Sequence, residues 1–291
     1  MSGRPAAFAT VFRREVVTVA RTPAYALLVV GLLVAVGGLV AVGGGGATGF
    51  VPAVVDLLLA TEVLVPLAAV VLGYRALRSD RASGELAVIR TFGVGAVTYV
   101  TGVLAARLLA LIVVVGLPYV LVGGYIWVTA SPDTGIYATH TGVDSPLLFV
   151  RFLTFAVLLG AAYLAVAAGL SALAGSRRSA VALGGLVLAG GVLGGDLAVL
   201  RSLSTGTPAA ALPDLLALSP NGAFRGLVFD HVIGVAFEGD GPTVNAGRAL
   251  LALFGWTVAG AVIAVVALGP GRFVTVAFER MRRRVAREDV K

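Results

Sequence analysis

Six apolar stretches dominate this sequence, each about as long as the roughly 20 residues a helix needs to cross a hydrocarbon core, and they leave little room for any other fold. They run at about 24-42, 51-74, 96-127, 147-174, 179-200 and 249-268. The first carries no charge, the second contains Asp56, Glu62 and Pro66, and the third contains Arg107 and Pro118. The third is long enough to tilt, to kink at Pro118 or to extend beyond the membrane. Of the 291 residues 58% are hydrophobic and 13% charged, and the mean hydropathy is +0.99. Such a chain has too little polar surface to cover a water-soluble globule. The expected fold is an all-α integral membrane protein, a six-helix transmembrane bundle forming one domain over 1-291.

Arginine and lysine set the expected orientation, because cytoplasmic flanks are enriched in them. Arg4, Arg13, Arg14 and Arg21 precede the first span, Arg75, Arg78, Arg81 and Arg90 lie between spans two and three, and Arg177 and Arg178 lie between spans four and five. With the basic tail 269-291, these flanks hold 17 of the 22 basic residues. Both termini are therefore expected in the cytoplasm. The arginines and apolar run at the start resemble a signal peptide, but the run is long, five more spans follow it, and no cleavage site stands out.

Residue types that are missing exclude whole classes of chemistry. There is no cysteine, hence no disulfide, thiolate metal site or cysteine nucleophile. Lys291 is the only lysine, so no glycine-rich turn carries the lysine that a Walker loop sets on the β- and γ-phosphates. The run Gly43 to Gly46 accordingly reads as a flexible loop. A net charge of +7 suggests a nucleic-acid binder, but the basic residues flank apolar runs and form no patch with interleaved aromatics. His140 and His231 stand far apart, and the only methionines are Met1 and Met281, so no metal site and no copper relay is expected. No nucleophile, base and oxyanion constellation is present, and no catalytic residue is expected in this chain.

Three segments carry more information. Ahead of the first span, at about 6-22, Phe8, Val11, Phe12, Val16 and Val19 share one side of a helix, with Thr10, Arg13, Arg14 and Arg21 opposite and Pro23 at its end. This predicts an interfacial helix. Glu15 falls within its apolar sector and implies that this face meets protein as well as lipid. Between spans two and three, Leu86, Ile89 and Arg90 are spaced like one face of a short helix stopped by Gly93, able to present an apolar ridge and charges to a soluble partner. In the outer segment 201-248, Ser219 caps a helix that Pro220 starts, predicting an outer-surface or re-entrant helix through Phe237.

Ionisable groups inside lipid are expensive and mark functional candidates. Glu62 lies 12 residues before Tyr74, and Arg107 lies 12 residues after Gly95. At 1.5 Å per residue both sit about 18 Å from the inner surface, which predicts an ion pair that either locks spans two and three in register or lines a transport path. Asp56 is nearer the outer surface and reads as hydrated. Gly191 and Gly195, beside Gly190 and Gly194, predict close helix contact on span five, within the bundle or across a dimer.

In these features the chain resembles the integral-membrane subunit of ABC-2 type transporters, especially the permease class of nitrous oxide reductase maturation and multicopper-enzyme clusters. The likeness covers essentially the whole chain, and its most specific part is Asp80-Arg81-Ala-Ser-Gly84-Glu85-Leu86. In that family an acidic residue and arginine, a short spacer, a glycine and a small polar residue precede an apolar stretch and meet the separate ATPase. Here Glu85 stands where threonine is common and Gly93 to Gly95 where a proline often occurs. Leu218-Ser-Pro-Asn-Gly-Ala-Phe-Arg225 resembles the segment before the last span of these permeases. The resemblance implies an exporter working as a dimer with a second permease copy or homologue, in a prokaryotic cell membrane. ATP and Mg would bind on the partner ATPase, and Asp80, Arg81, Gly84, Glu85, Leu86, Ile89 and Arg90, together with the N-terminal helix, would form the coupling contact. The rival readings are a non-transporting membrane scaffold and an intramembrane enzyme.

Overall fold

Proline or serine opens three of the six long helices, and glycine closes the first of them. In the computed structural model, which describes residues 4–130, 144–206, 208, 211–236 and 244–269, α1 (Arg4–Ala20) ends in a short break at Thr22. Pro23 then starts α2 (Pro23–Gly43) from its first turn, where a missing N–H costs nothing. Gly44, in the left-handed conformation, ends α2. A 3-10 turn, Gly45–Ala47, leads into α3 (Phe50–Gly73). The glycine run is thus a defined turn. Asp56 accepts a hydrogen bond from the Gly45 amide at 2.9 Å, and a Cβ at Gly43 or Gly45 would overlap its carboxylate. Asp144, nearly a hundred residues on, caps α3 by accepting from the amides of Phe50 (2.8 Å) and Val51 (3.0 Å).

The connection that follows holds two short helices, α4 (Arg78–Ser83) and α5 (Glu85–Thr91), joined at Gly84 with φ 83°. An L side chain is strained there, which is why glycine stands at the joint. Next come α6 (Ala96–Thr129) and α7 (Pro146–Leu173), the latter capped by Ser145. A Ser176/Ser179 capping box opens α8 (Arg177–Ser204). The short helices α9 (Leu212–Leu218) and α10 (Pro220–Val228) run through a π turn, Phe229–Ile233, and α11 (Ala246–Ala267) is capped by Asn245. All regular structure among the described residues is helical, and six helices are long and apolar enough to span a membrane. The chain therefore has the architecture of a multi-pass membrane protein. The tail beyond Gly269, His140 and part of the outer segment lie outside the described residues.

The bundle is built around α7, which packs on α3, α10 and α11. Its Phe149 and Phe152 form a chain of tilted aromatic contacts with Phe50, Tyr119 and Phe224, with centroids 5.9 to 6.5 Å apart. Where α7 crosses α11, Gly169 and Gly260 bring the two backbones together, and a Cβ on either would strike main-chain atoms of the other helix. α8 is the opposite case, burying only Ala180 and Gly184. Gly191 and Gly195 make contacts within the bundle, against the Tyr163 ring and Ser219, whereas Gly190 and Gly194 face open space.

One end of the bundle gathers α1, α4, α5, the start of α6 and the last turns of α7 and α11; it is called the basic end below. At 34 residues, α6 is about 51 Å long. Arg107, in its fourth turn, donates to the carbonyl of Leu72 in the last turn of α3 at 3.1 Å. Residues 96–106 therefore overhang the end of α3 and pack beside α1. Pro118 interrupts neither the length nor the continuity of α6.

Candidate functional site

Two polar constellations stand out from the apolar background, one at the basic end and one within the bundle.

At the basic end, Asp80 on α4 is the hub. It is buried, accepting hydrogen bonds from Arg14 of α1 at 2.7 Å and from the Tyr99 hydroxyl of α6 at 2.6 Å. The second Nη of Arg14 reaches Glu85 at 2.7 Å. The hydrogen bond to Asp80, reinforced by the charges of Asp80 and Glu85, raises the Arg14 pKa well above its ordinary value. Arg14 is therefore charged at any working pH. Arg81 donates to the Ala172 carbonyl at the end of α7 at 2.8 Å, and Arg90 donates to the Leu268 carbonyl at the end of α11. Both carbonyls lie in or just beyond a last helical turn, where carbonyls lack intrahelical partners and a guanidinium is favoured.

The α4–α5 elbow is thus tied to four helices at once. This corrects the expectation for its apolar face. Leu86 is buried and Ile89 packs beside it, together with Val11, Tyr99 and Ala267. The face carrying Leu86, Ile89 and Arg90 is the one turned into the bundle. The outward face carries Ala87, Val88, Thr91 and Phe92, with Phe92 79% exposed.

On α1, Phe8 and Phe12 stack at 6.1 Å and Arg13 is exposed, while Val11 fits against Gly102 of α6. Glu15 is buried and does meet protein: Arg107 donates to it through Nε at 2.6 Å. Arg107 also bonds the Tyr25 hydroxyl and lies 5.6 Å from that ring's centre. The expected Glu62–Arg107 pair is therefore not formed. Equal residue counts from the α3–α6 connection correspond to equal depth only where the two helices end at one level. Because α6 overhangs α3, Arg107 sits at the level of Leu72, ten residues from Glu62 on α3, a separation of about 15 Å.

Glu62 has a different partner. It lies midway along α3, and Arg225 of α10 meets its carboxylate through Nε at 2.7 Å and through Nη2. The same guanidinium reaches Asp196 on α8 at 3.1 and 3.2 Å. That meeting requires α10 to enter the bundle, and it does. Ser219 caps it, accepting from Gly222 at 3.0 Å with Pro220 in the first turn, and of its nine residues all but Arg225 are buried. α10 thus lies inside the bundle rather than on its outer surface, and the predicted end at Phe237 lies outside the described residues.

Asn221 fastens α10 to a gap in α3. Pro66 has no N–H to give to the carbonyl four residues earlier, which belongs to Glu62. Asn221 Nδ2 supplies the missing donor at 2.9 Å, and its Oδ1 accepts from the Tyr163 hydroxyl at 2.6 Å. The junction of α9 and α10 is held from the far side by Trp256, whose indole donates to the Leu218 carbonyl at 3.0 Å.

Arg225, Asp196, Asn221 and Tyr163 were not anticipated as site residues. The cue was present: Asp196 falls inside an apolar span with no predicted partner, and Arg225 is the lone charge on a helix whose start was recognised. His231 serves through its main chain, its carbonyl accepting from Arg151 at 3.0 Å. The sequence matches no protein-family model and no curated protein.

Proposed function

We propose that the chain is the membrane-spanning subunit of an ATP-driven transporter of the ABC-2 type, an exporter, with ATP and Mg bound on a separate ATPase subunit. The observation that carries this reading is the α4–α5 elbow. A segment that only joined α3 to α6 has no need of ion pairs to α1 and bonds to the ends of α7 and α11. Nor does it need the bare apolar edge of Val88 and Phe92 on its outer side. A soluble partner that pushes on that edge displaces four helices together. In this reading the basic end faces the cytoplasm of a prokaryotic cell, in keeping with its arginines, and a second copy or homologue completes the transporter.

The test is affinity purification in mild detergent from the native host, comparing the wild type with Val88→Asp/Phe92→Asp. Both side chains are exposed, so the variant is expected to fold. A Walker-containing ATPase that accompanies the wild type and is lost from the variant supports the reading. Its absence from the wild type, under conditions that preserve a known transporter, overturns it. Wild-type behaviour with a hydrolysis-dead ATPase would instead mark the chain as a scaffold.

A further inference from the structure

The elbow between α1 and α2 opens a groove of about 470 Å³ against the flank of α6. Its walls are apolar, formed chiefly by Val19, Ala26 and Val29 on one side and Leu109, Ala110 and Val113 on the other. Leu109 and Val113 are exposed. Between Ala106 and Val114, the outermost lining residues of α6, the groove extends about 12 Å along the helix. Its one charged lining residue is Arg21, at the basic end. Arg21 has no ion-pair or hydrogen-bonding side-chain partner among the described residues, and neither has Arg13 on α1.

We propose that this groove binds one anionic phospholipid, its phosphate on Arg21 and an acyl chain running between α2 and α6. Depth, shape and charge agree on that occupant. Tyr25 shares Arg107 with the last turn of α3, and Arg21, four residues before Tyr25 across the break at Thr22, lies at this same end of the groove, where a phosphate sits when α3 spans the hydrocarbon. From there the groove leads only into the apolar slab. The Arg21 guanidinium favours a headgroup without a cation of its own, since a choline ammonium would meet positive charge. Arg107, already committed to Glu15, does not compete for the phosphate.

The experiment uses the full chain in nanodiscs containing trace photoactivatable phosphatidylglycerol or photoactivatable phosphatidylcholine, with labelled peptides mapped by mass spectrometry. The wild type is expected to take phosphatidylglycerol label on α2 and α6 several-fold above phosphatidylcholine. Arg21→Gln should lower the phosphatidylglycerol signal about five-fold, the effect of one basic residue at a membrane surface. Ala26→Trp, which fills the groove from an exposed position, should abolish labelling there by both lipids. Equal labelling by the two lipids in the wild type, or labelling indifferent to both substitutions, would overturn the assignment. Cross-links from the groove to a second copy of the chain would also overturn it, by naming a different occupant.

Discussion

Arg107 and Arg225 each meet a glutamate inside the bundle, but Arg107 is closed off with Glu15, while Arg225 divides its guanidinium between Glu62 and the half-exposed Asp196. The first pair is almost wholly buried. Arg107 Nη1 donates to a tyrosine hydroxyl and a carbonyl, so each of the three guanidinium nitrogens has a partner. The second group has two carboxylates for one guanidinium, and the Asp196 side chain is 43% exposed. A closed pair of charges has a single low-energy arrangement, because either ion alone in a low-dielectric site is costly. An open group with a spare carboxylate offers its cation a second station. The first therefore acts as a staple joining α1, α2, α3 and α6, and the second is where the bundle can exchange partners.

The sharpest way to break this contrast is Glu15→Gln. It strands Arg107 in the bundle, and detergent-solubilised protein should lose about 3 to 5 kcal/mol of stability, read as a large fall in melting temperature. Glu15→Met/Arg107→Met should recover most of that loss, since replacing a buried pair with apolar groups is often close to neutral. Glu62→Gln should cost less, about 1.5 to 3 kcal/mol for a lost charged hydrogen bond, because Asp196 still compensates Arg225. If it costs more than Glu15→Gln in the same unfolding assay, the view of the second group as the more forgiving one is wrong. Asn221→Leu should cost about 1 to 3 kcal/mol by leaving the Glu62 carbonyl without a donor. Adding Pro66→Ala, which restores the helical donor, should return part of it. The smallest effect belongs to Asp196→Asn, under about 1 kcal/mol for a partly exposed pair. A near-neutral effect on stability joined to altered transport would place Asp196 in the moving part of the cycle.

Much of the architecture was legible in advance, because the length of an apolar run answers directly to the thickness of the slab it must cross. The ends of α2, α3, α6, α7, α8 and α11 fall within a few residues of the apolar runs that predicted them. Ser219 and Pro220 announced α10 through local cap chemistry. What could not be read was which charge faces which. Glu62 and Arg107 appear level when counted from their shared connection, and only the docking of α1 on residues 96–106 reveals the overhang. Arg225 escaped notice because its segment has no span of its own and reaches Glu62 by inserting from the side. For α5 the pattern of Leu86, Ile89 and Arg90 predicted an apolar face correctly. A short helix carries no mark of whether that face meets a partner or its own bundle, and here Val11 and Tyr99 occupy it first.

The overhang of α6 has a mechanical meaning. A single uninterrupted helix is gripped near one end by Tyr99 on Asp80, further along by Arg107 on Glu15, and deeper still by Tyr119, whose hydroxyl lies 2.6 Å from that of Thr61 on α3. A stiff rod whose Tyr119 contact gives way pivots about its middle clamp rather than bending. A small sideways displacement of the α4–α5 elbow would then reach the aromatic layer around Phe149 and Phe152 as a displacement in the opposite direction, with Arg107 as the fulcrum.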